Sequence, residues 1–314
     1  MPIKPSPIKK GDTIGVIALS APTEEVRFAA ARRQLEKLGY KVKVALTPWA
    51  QYGKSDFLFS SDSAANRAQA LHGLLADKEV SVILAVRGAY GSMEVLPLLD
   101  FDLLRTNPKI VCGFSDTTAV INQCYGRAGV VALHGPSLES AFGKMEADAD
   151  AGRSAQTLLD MLAGKVQNPF VGCTVQLLCG SGTAEGAIVG GNLSMLAALA
   201  GTPWDVDWSG HILCLEEVGE RPYRVHRMLL QLKAAGKLAK LAAVVLGSFR
   251  DCVHPQQAGP TLAQVFEDIF AEYGYPLIAG LPFGHERLNL PLPIGVRARV
   301  SANKLEFMES IVAL

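Results

Sequence analysis

At 314 residues the chain is long enough for two domains, since single hydrophobic cores seldom grow beyond about 250 to 300 residues. Lys and Arg together number 30, as do Asp and Glu, so the formal net charge is zero. This balance disfavours nucleic acid and anionic membranes as the main partners, because no global field attracts a polyanion.

The first ten residues lack the continuous apolar segment of a secretory signal, and the apolar run Ile14–Leu19 is too short to cross a bilayer. The six cysteines form no CxxC pair, and most lie in apolar runs where cysteine acts as a small hydrophobe. We therefore expect a cytoplasmic protein.

From Asp12 to about Gly164, short β-branched runs alternate with helical patterns. The predicted elements are strands over 13–19, 41–46, 80–86, 110–112 and 130–133, and helices over 24–39, 64–76, 93–99 and 117–126. Such alternation predicts a parallel sheet with helices on both faces.

Asn168-Pro169 and the glycines that follow interrupt this alternation. We therefore predict a first domain over 1–165, a linker over 166–174 and a second domain over 175–314. The predicted elements of the second domain are strands over 174–178, 184–189, 212–215, 242–249 and 276–281, helices over 193–199, 223–235 and 261–273, and a terminal hairpin over 294–300 and 304–308.

Ligands of parallel sheets bind at the carboxyl ends of the strands. At one such end, Gly113-Phe-Ser115-Asp116 forms a sharp bend that exposes Ser115 as a candidate nucleophile. The motif resembles a nucleophile elbow, although Thr117 replaces the second glycine of G-x-S-x-G. Alternatively, Ser115 or Asp116 is only the N-cap of the following helix.

The neighbouring strand ends at Arg87-Gly88-Ala89-Tyr90-Gly91, a turn whose backbone amides suit an oxyanion. The alternatives are an ordinary strand-to-helix turn or a weak nucleotide loop. G-x-G-x-x-G is absent, so a dinucleotide fold is poorly supported.

A hydroxyl nucleophile needs a general base. His285 follows an apolar strand and begins a segment with Asn289, Pro291 and Pro293 that we predict as loop, whereas His72 and His226 lie in helical patterns. His134 has a setting similar to that of His285 and is the competing base.

Carboxylates appear abruptly in Glu216-Glu217-Val-Gly-Glu220, at the end of an apolar strand. A buried carboxylate needs a partner, so one of these acids is expected to face a cation or an imidazole. A solvated acidic loop is the alternative. Arg224 and Arg227 follow as ion-pair partners or as anchors for a substrate carboxylate.

In this order along the chain, these segments resemble the LD-carboxypeptidase family of serine peptidases, which includes muramoyltetrapeptide carboxypeptidases and microcin C immunity peptidases. The matching motifs are Gly11-Asp-Thr-Ile-Gly-Val-Ile-Ala, Arg87-Gly-Ala-Tyr-Gly91, Gly113-Phe-Ser-Asp116, His134-Gly-Pro136, Gly190-Gly-Asn-Leu193, Leu215-Glu-Glu-Val-Gly-Glu220 with Pro222-Tyr-Arg224, Leu246-Gly-Ser-Phe249 and Gly284-His285.

The resemblance implies a catalytic triad of Ser115, His285 and Glu216, with Glu217 as the alternative acid because the family has Glu-Asp there. It places the oxyanion donors on the amides of Asp116 and of Ala89 or Gly88. We add Arg87, Tyr90 and Arg224 as candidate substrate contacts.

Together, pattern and resemblance predict an α/β protein with a Rossmann-like parallel-sheet domain and a smaller α/β domain whose mixed sheet is partly barrel-like. The implied activity is release of D-alanine from cytoplasmic muramoyl tetrapeptides, by a homodimer without cofactor or metal. The alternatives are cleavage of a peptidyl or aminoacyl nucleotide, and a muropeptide-binding protein without turnover.

Overall fold

The structure is a computed structural model that describes residues 2–49, 59–254 and 259–314. The chain divides into two compact units. The first contains Met1–Gln167, Arg287–Gly295 and Ser310–Leu314, and the second contains Asn168–Glu286 and Val296–Glu309. The chain first passes from one unit to the other after Gln167, within the linker that we predict over 166–174. Arg287–Gly295 and Ser310–Leu314, which we predict in the second domain, belong to the first unit.

Strands and helices alternate through most of the described chain. The strands are β1 (Thr13–Ile17), β2 (Lys41–Val44), β3 (Val80–Ala85), β4 (Ile110–Gly113), β5 (Ala132–His134), β6 (Gln176–Cys179), β7 (Ala184–Asn192), β8 (Ile212–Val218), β9 (Ala243–Arg250), β10 (Leu277–Ala279), β11 (Leu292–Ile294), β12 (Arg297–Ser301) and β13 (Lys304–Phe307). The α-helices are α1 (Glu25–Lys37), α2 (Ala64–Ala76), α3 (Ser92–Val95), α4 (Phe101–Thr106), α5 (Thr118–Gly126), α6 (Ala149–Leu162), α7 (Leu193–Leu199), α8 (Pro222–Ala234) and α9 (Leu262–Phe270).

In the first unit, the described strands form one sheet in the order β11-β5-β4-β3-β1-β2. The pairs among β1 to β5 are parallel, which confirms the predicted parallel sheet. The strand β11 is antiparallel to β5 at the edge of the sheet. Our prediction of loop through Pro291 and Pro293 was wrong for Pro293, which an edge strand tolerates because one side of the strand needs no ladder donor.

The sheet of the second unit is mixed and curls into a half-barrel, with the order β13-β12-β7-β8-β9-β10-β6. Its centre, β7 to β10, is parallel, whereas β6, β12 and β13 pair antiparallel. The predicted fold class, an α/β chain with a parallel sheet and a second mixed sheet, is confirmed. The parallel centre brings the ends of β8 and β9 to one edge of this sheet.

The described α-helices have 14 residues at most, and α5 is buried along most of its length. In the described part of the chain, none of them is long and apolar enough to cross a membrane.

Candidate active site

In the first unit, Ser115 lies on a sharp turn between β4 and α5. Its backbone is left-handed, with φ of 61°, a conformation that costs a non-glycine residue about 1 to 2 kcal/mol. A short 3₁₀ helix, Ser115–Thr117, then leads into α5. Thr117 is the N-cap of α5 and makes no side-chain capping bond, so capping does not account for Ser115. Strained backbone of this kind is typical of functional turns.

The end of β3 packs directly against this turn. A Cβ atom placed on Gly88 would lie 2.9 Å from the Cβ and 3.2 Å from the Oγ of Ser115, so only glycine fits there. The next residue, Ala89, also has a left-handed backbone, with φ of 85°. The carbonyl of Gly88 accepts a hydrogen bond from the amide of Ala21 at 3.3 Å. Because the peptide is trans, the amide of Ala89 points to the opposite side.

The side chain of Asp116 holds the Ser115 turn to its neighbours. This carboxylate is buried, and its Oδ2 accepts hydrogen bonds from Ser20 Oγ at 2.5 Å and from the amide of Ser92 at 2.8 Å. Ser92 Oγ in turn donates to the carbonyl of Asp116 at 2.5 Å. The amide of Asp116 is therefore carried by a turn that is held to the segment after β1 and to the start of α3.

In the second unit, Glu216 and His285 form a close pair. Glu216 lies near the end of β8 and is fully buried, and its Oε2 lies 2.6 Å from His285 Nδ1. A Cβ atom on Gly284 would lie 2.5 Å from that carboxylate oxygen, so the glycine before the histidine is needed for this approach. Burial raises the pKa of the Glu216 carboxyl, and the hydrogen bond with His285 opposes the rise.

Glu217, the alternative acid, faces the start of α7. Its carboxylate accepts hydrogen bonds from Asn192 Nδ2 at 3.0 Å, the Ser194 amide at 2.8 Å and Ser194 Oγ at 2.6 Å. Negative charge at a helix N-terminus is stabilising. The structure therefore pairs the imidazole with Glu216 and gives Glu217 a structural partner.

Two residues of β9 that sequence reasoning did not single out support His285. Ser248 Oγ accepts a hydrogen bond from the backbone amide of His285 at 3.0 Å, and Arg250 Nη1 donates to its carbonyl at 3.2 Å. Ser248 belongs to the Gly-Ser-Phe motif that forms part of the family resemblance, and this motif is the sequence signal by which Ser248 could have been found.

The other histidines considered above have different surroundings. His134 is buried in β5 and meets the ring of Phe114 edge to face, with centroids 6.2 Å apart. His226 Nε2 lies 2.9 Å from Asp268 Oδ2, and His72 Nε2 accepts from the amide of Asp100.

The candidate substrate contacts fall in both units. In the first, Arg87 is partly buried; its guanidinium donates to the carbonyl of Pro22 at 3.4 Å and lies 3.9 Å from the carboxylate of Glu139. Tyr90 is exposed and packs edge to face on Phe59.

In the second unit, Arg224 is exposed beside Glu220, with 3.5 Å between the charged groups. Among the residues that the structure describes, no group of three or more His, Cys, Asp or Glu side chains has the geometry of a metal site.

Comparison with known proteins identifies the same family in both units. The model of the LD-carboxypeptidase N-terminal domain matches residues 14–135, and that of the C-terminal domain matches residues 185–300. The probable murein peptide carboxypeptidase of Bacillus subtilis is 33% identical over 99% of this chain and 95% of its own. The murein tetrapeptide carboxypeptidase of Pseudomonas aeruginosa is 33% identical over 93% of this chain and 95% of its own.

A solved structure of MccF in complex with glutamyl sulfamoyl guanosine superposes with a TM-score of 0.86 at 25% identity, and the match covers 99% of this chain and 100% of that one. The two domain models and the full-length relatives agree with the motifs at the strand ends, and the chain belongs to the LD-carboxypeptidase family.

Proposed function

We propose that this serine carboxypeptidase releases the terminal D-alanine from murein tetrapeptides, with Ser115 as nucleophile, His285 as general base and Glu216 as the residue that orients the imidazole. The observation that carries the proposal is the strained Ser115 turn packed against Gly88, together with a buried acid–imidazole pair on the other unit. The names of the murein-processing relatives support this choice of substrate.

In the proposed reaction, Ser115 Oγ attacks the carbonyl carbon of the L-configured residue that precedes the D-amino acid. His285 Nδ1 faces Glu216, so Nε2 is the nitrogen that takes the hydroxyl proton. The amides of Asp116 and of Ala89 or Gly88 donate to the developing oxyanion. The carbon–nitrogen bond then breaks, and the leaving amine receives the proton from His285.

The second half of the reaction reverses these roles. His285 takes a proton from water as the water oxygen attacks the acyl ester, and Ser115 Oγ recovers its proton as the ester bond breaks. Throughout, Glu216 holds one imidazole tautomer and stabilises its charged form. No group outside the chain and water is required.

A carboxypeptidase must also recognise the free carboxylate of its substrate. We assign this role to Arg87 in preference to Arg224, because Arg87 directly precedes Gly88, which packs on Ser115. We assign to Tyr90, which lies in the same turn as Gly88, a packing contact with the substrate peptide.

Incubation with disaccharide tetrapeptide, followed by mass measurement, tests the proposal. We expect loss of one alanine with the wild type and a fall in kcat of at least about 10³-fold with Ser115→Ala at unchanged melting temperature. Ser301→Ala, in the terminal hairpin, is the matched control and should keep full activity. An active Ser115→Ala enzyme would remove the nucleophile from the proposal.

The second candidate is a peptidase of aminoacyl or peptidyl nucleotides, which the similarity to MccF favours. An aminoacyl sulfamoyl nucleotide, offered in the same assay, separates the two activities. Cleavage of this compound with an unchanged tetrapeptide would establish the second candidate, and binding of the tetrapeptide without turnover of either compound would indicate a binding protein.

We further propose a cytoplasmic homodimer. Cys112, Cys124 and Cys214 are buried thiols, as is common in a reducing compartment, and burial raises the pKa of each. The dimer is an expectation from the family resemblance alone. Cell fractionation and sedimentation equilibrium would test location and assembly.

A further inference from the structure

Arg67 of α2 is a fully buried arginine in the first unit. Its Nη1 donates to the carbonyls of Leu19 and Gly91, its Nε donates to the carbonyl of Asp62 at 2.9 Å, and its Nη2 pairs with Glu94. A buried charge is costly unless it is paired and hydrogen-bonded, and this one meets both conditions. Of its acceptors, Leu19 lies two residues after the end of β1, and Gly91 is the last residue of the proposed oxyanion turn.

Arg67 and Asp116 hold the same two chain segments from opposite sides. Arg67 Nη1 bonds the carbonyls of Leu19 and Gly91, and Asp116 Oδ2 accepts from the next residue of each segment, Ser20 Oγ and the Ser92 amide. The bonds form a closed ring that joins a buried cation and a buried anion, through the Gly91–Ser92 peptide on one side and through the Leu19 carbonyl and the Ser20 side chain on the other.

The ring fixes the orientation of one peptide group. The carbonyl of Gly91 and the amide of Ser92 belong to the same planar trans peptide and therefore point in opposite directions, one to Arg67 and the other to Asp116. Gly91 and Ala89 both have positive φ, of 119° and 85°. Such a turn keeps its shape only when its surroundings constrain it.

We propose that Arg67 is a positioning residue for the hydrolysis: it holds the turn Gly88–Gly91 in the orientation that directs its amides at the oxyanion that forms on the substrate carbonyl when Ser115 attacks. This inference rests on the proposed function. Because the ring acts on the oxyanion donors and not on the base, loss of Arg67 lowers kcat more than it changes KM. Displacement of preorganised donors by about 1 Å costs on the order of 10²-fold.

The test compares Arg67→Lys and Arg67→Met with wild type in kcat, KM and melting temperature. Active sites are counted by labelling with a fluorophosphonate, so that partial unfolding does not enter kcat. We expect kcat per labelled site to fall about 10- to 100-fold in Arg67→Met, with KM within about twofold. Lysine keeps the charge but lacks the fork whose other nitrogens bond the Asp62 carbonyl and Glu94, so Arg67→Lys should keep more of the wild-type kcat than Arg67→Met does.

Lys109→Met is the matched control. Lys109 is another buried cation, and its ammonium donates to the carbonyls of Leu74, Leu75 and Asp77 at the far end of the same helix. This variant should lose stability comparably while kcat per labelled site stays within about twofold of wild type. A purely structural role for Arg67 predicts the same result for both cations.

A double-mutant cycle between Arg67→Met and Asp116→Asn tests the ring itself. If the two residues act through the same backbone groups, the loss of kcat in the double variant is smaller than the product of the single losses. If the losses of kcat in the two single variants simply multiply in the double variant, the two residues do not act through one ring and the inference is overturned.

The inference is also overturned if both Arg67 variants keep kcat per site within twofold, or if Lys109→Met loses as much. The labelling rate of Ser115 separates these failures from failure of the proposed substrate. A wild type that labels rapidly but leaves tetrapeptide intact refutes only the substrate, and the Arg67 variants are then compared by labelling rate. A wild type that does not label refutes both proposals.

Discussion

At the scale of single residues, the most unusual backbone belongs to Ala89, which has φ of 85° although it carries a side chain. A left-handed backbone costs alanine about 1 to 2 kcal/mol. Glycine avoids this strain, but the larger loss of chain entropy on folding costs it about 0.5 to 1 kcal/mol. We therefore expect Ala89→Gly to leave the free energy of unfolding unchanged or to raise it by up to about 1.5 kcal/mol. Because Arg67 and Asp116 still hold the Gly91–Ser92 peptide, kcat should stay within about threefold.

Urea unfolding and steady-state kinetics check this expectation. Ala155→Gly, in the interior of α6, is the matched control and should lose about 1 kcal/mol or more, since glycine is unfavourable there. A loss of 2 kcal/mol in Ala89→Gly would show that the strain is not relieved by glycine.

Two adjacent acids on β8 have separate partners, since Glu216 pairs with His285 whereas Glu217 accepts hydrogen bonds from Ser194. Glu216→Gln should lower kcat by about 10³- to 10⁴-fold, as glutamine neither fixes the imidazole tautomer nor stabilises its charged form. Glu217→Gln weakens the contacts at the start of α7 and should cost about 1 to 3 kcal/mol of stability with a much smaller effect on kcat. The reverse ranking of kcat would move the acid by one position.

The pH dependence of stability distinguishes Glu216 further. Because burial raises its pKa, the ionised carboxylate costs the folded state free energy above that pKa, and the cost disappears as pH falls through it. The uncharged Glu216→Gln variant should therefore gain free energy of unfolding relative to wild type at high pH, and this gain should shrink on acidification. Urea titrations at several pH values measure the difference; a gain that grows toward low pH would contradict the assignment.

The residues of the candidate site were predictable to the extent that they follow strand ends. Ser115 and Gly88 follow the neighbouring parallel strands β4 and β3, so the rule that ligands bind at carboxyl ends places them together. Arg67 and Ser248 were not found, because their importance lies in contacts with groups distant in sequence. A helical arginine read from sequence is a surface residue far more often than a buried one.

At the scale of secondary-structure elements, local sequence patterns predicted several of the helices and strands whose ends carry local signals. The helix α7 was predicted with its observed bounds, and Asn192 caps it. The strand β11 was missed because its three residues contain proline and find their partner in β5, far away in sequence. The helix α6 was also missed, although Asp148 caps it and its apolar residues recur at helical spacing.

At the scale of the whole molecule, the chain does not complete one unit before it starts the other. The first unit takes in Arg287–Gly295, which includes β11, and the last five residues, Ser310–Leu314. The amide of Ala313 donates to the carbonyl of Pro5 at 2.9 Å, which joins the two ends of the described chain within this unit. A boundary drawn from composition alone cannot show such a return, because nothing in the local sequence marks the partner.

The terminal segment should therefore stabilise the first unit. Ile311 and Val312 are almost completely buried, and burial of two such side chains contributes roughly 3 to 5 kcal/mol, so removal of residues 310–314 should lower the free energy of unfolding by about that amount. Removal of Leu314 alone is the control and should change little, because 90% of this residue is exposed. Urea unfolding followed by tryptophan fluorescence measures both variants. Equal stability of the five-residue deletion and wild type would show that these contacts do not contribute to the fold, and the first unit would then be complete without them.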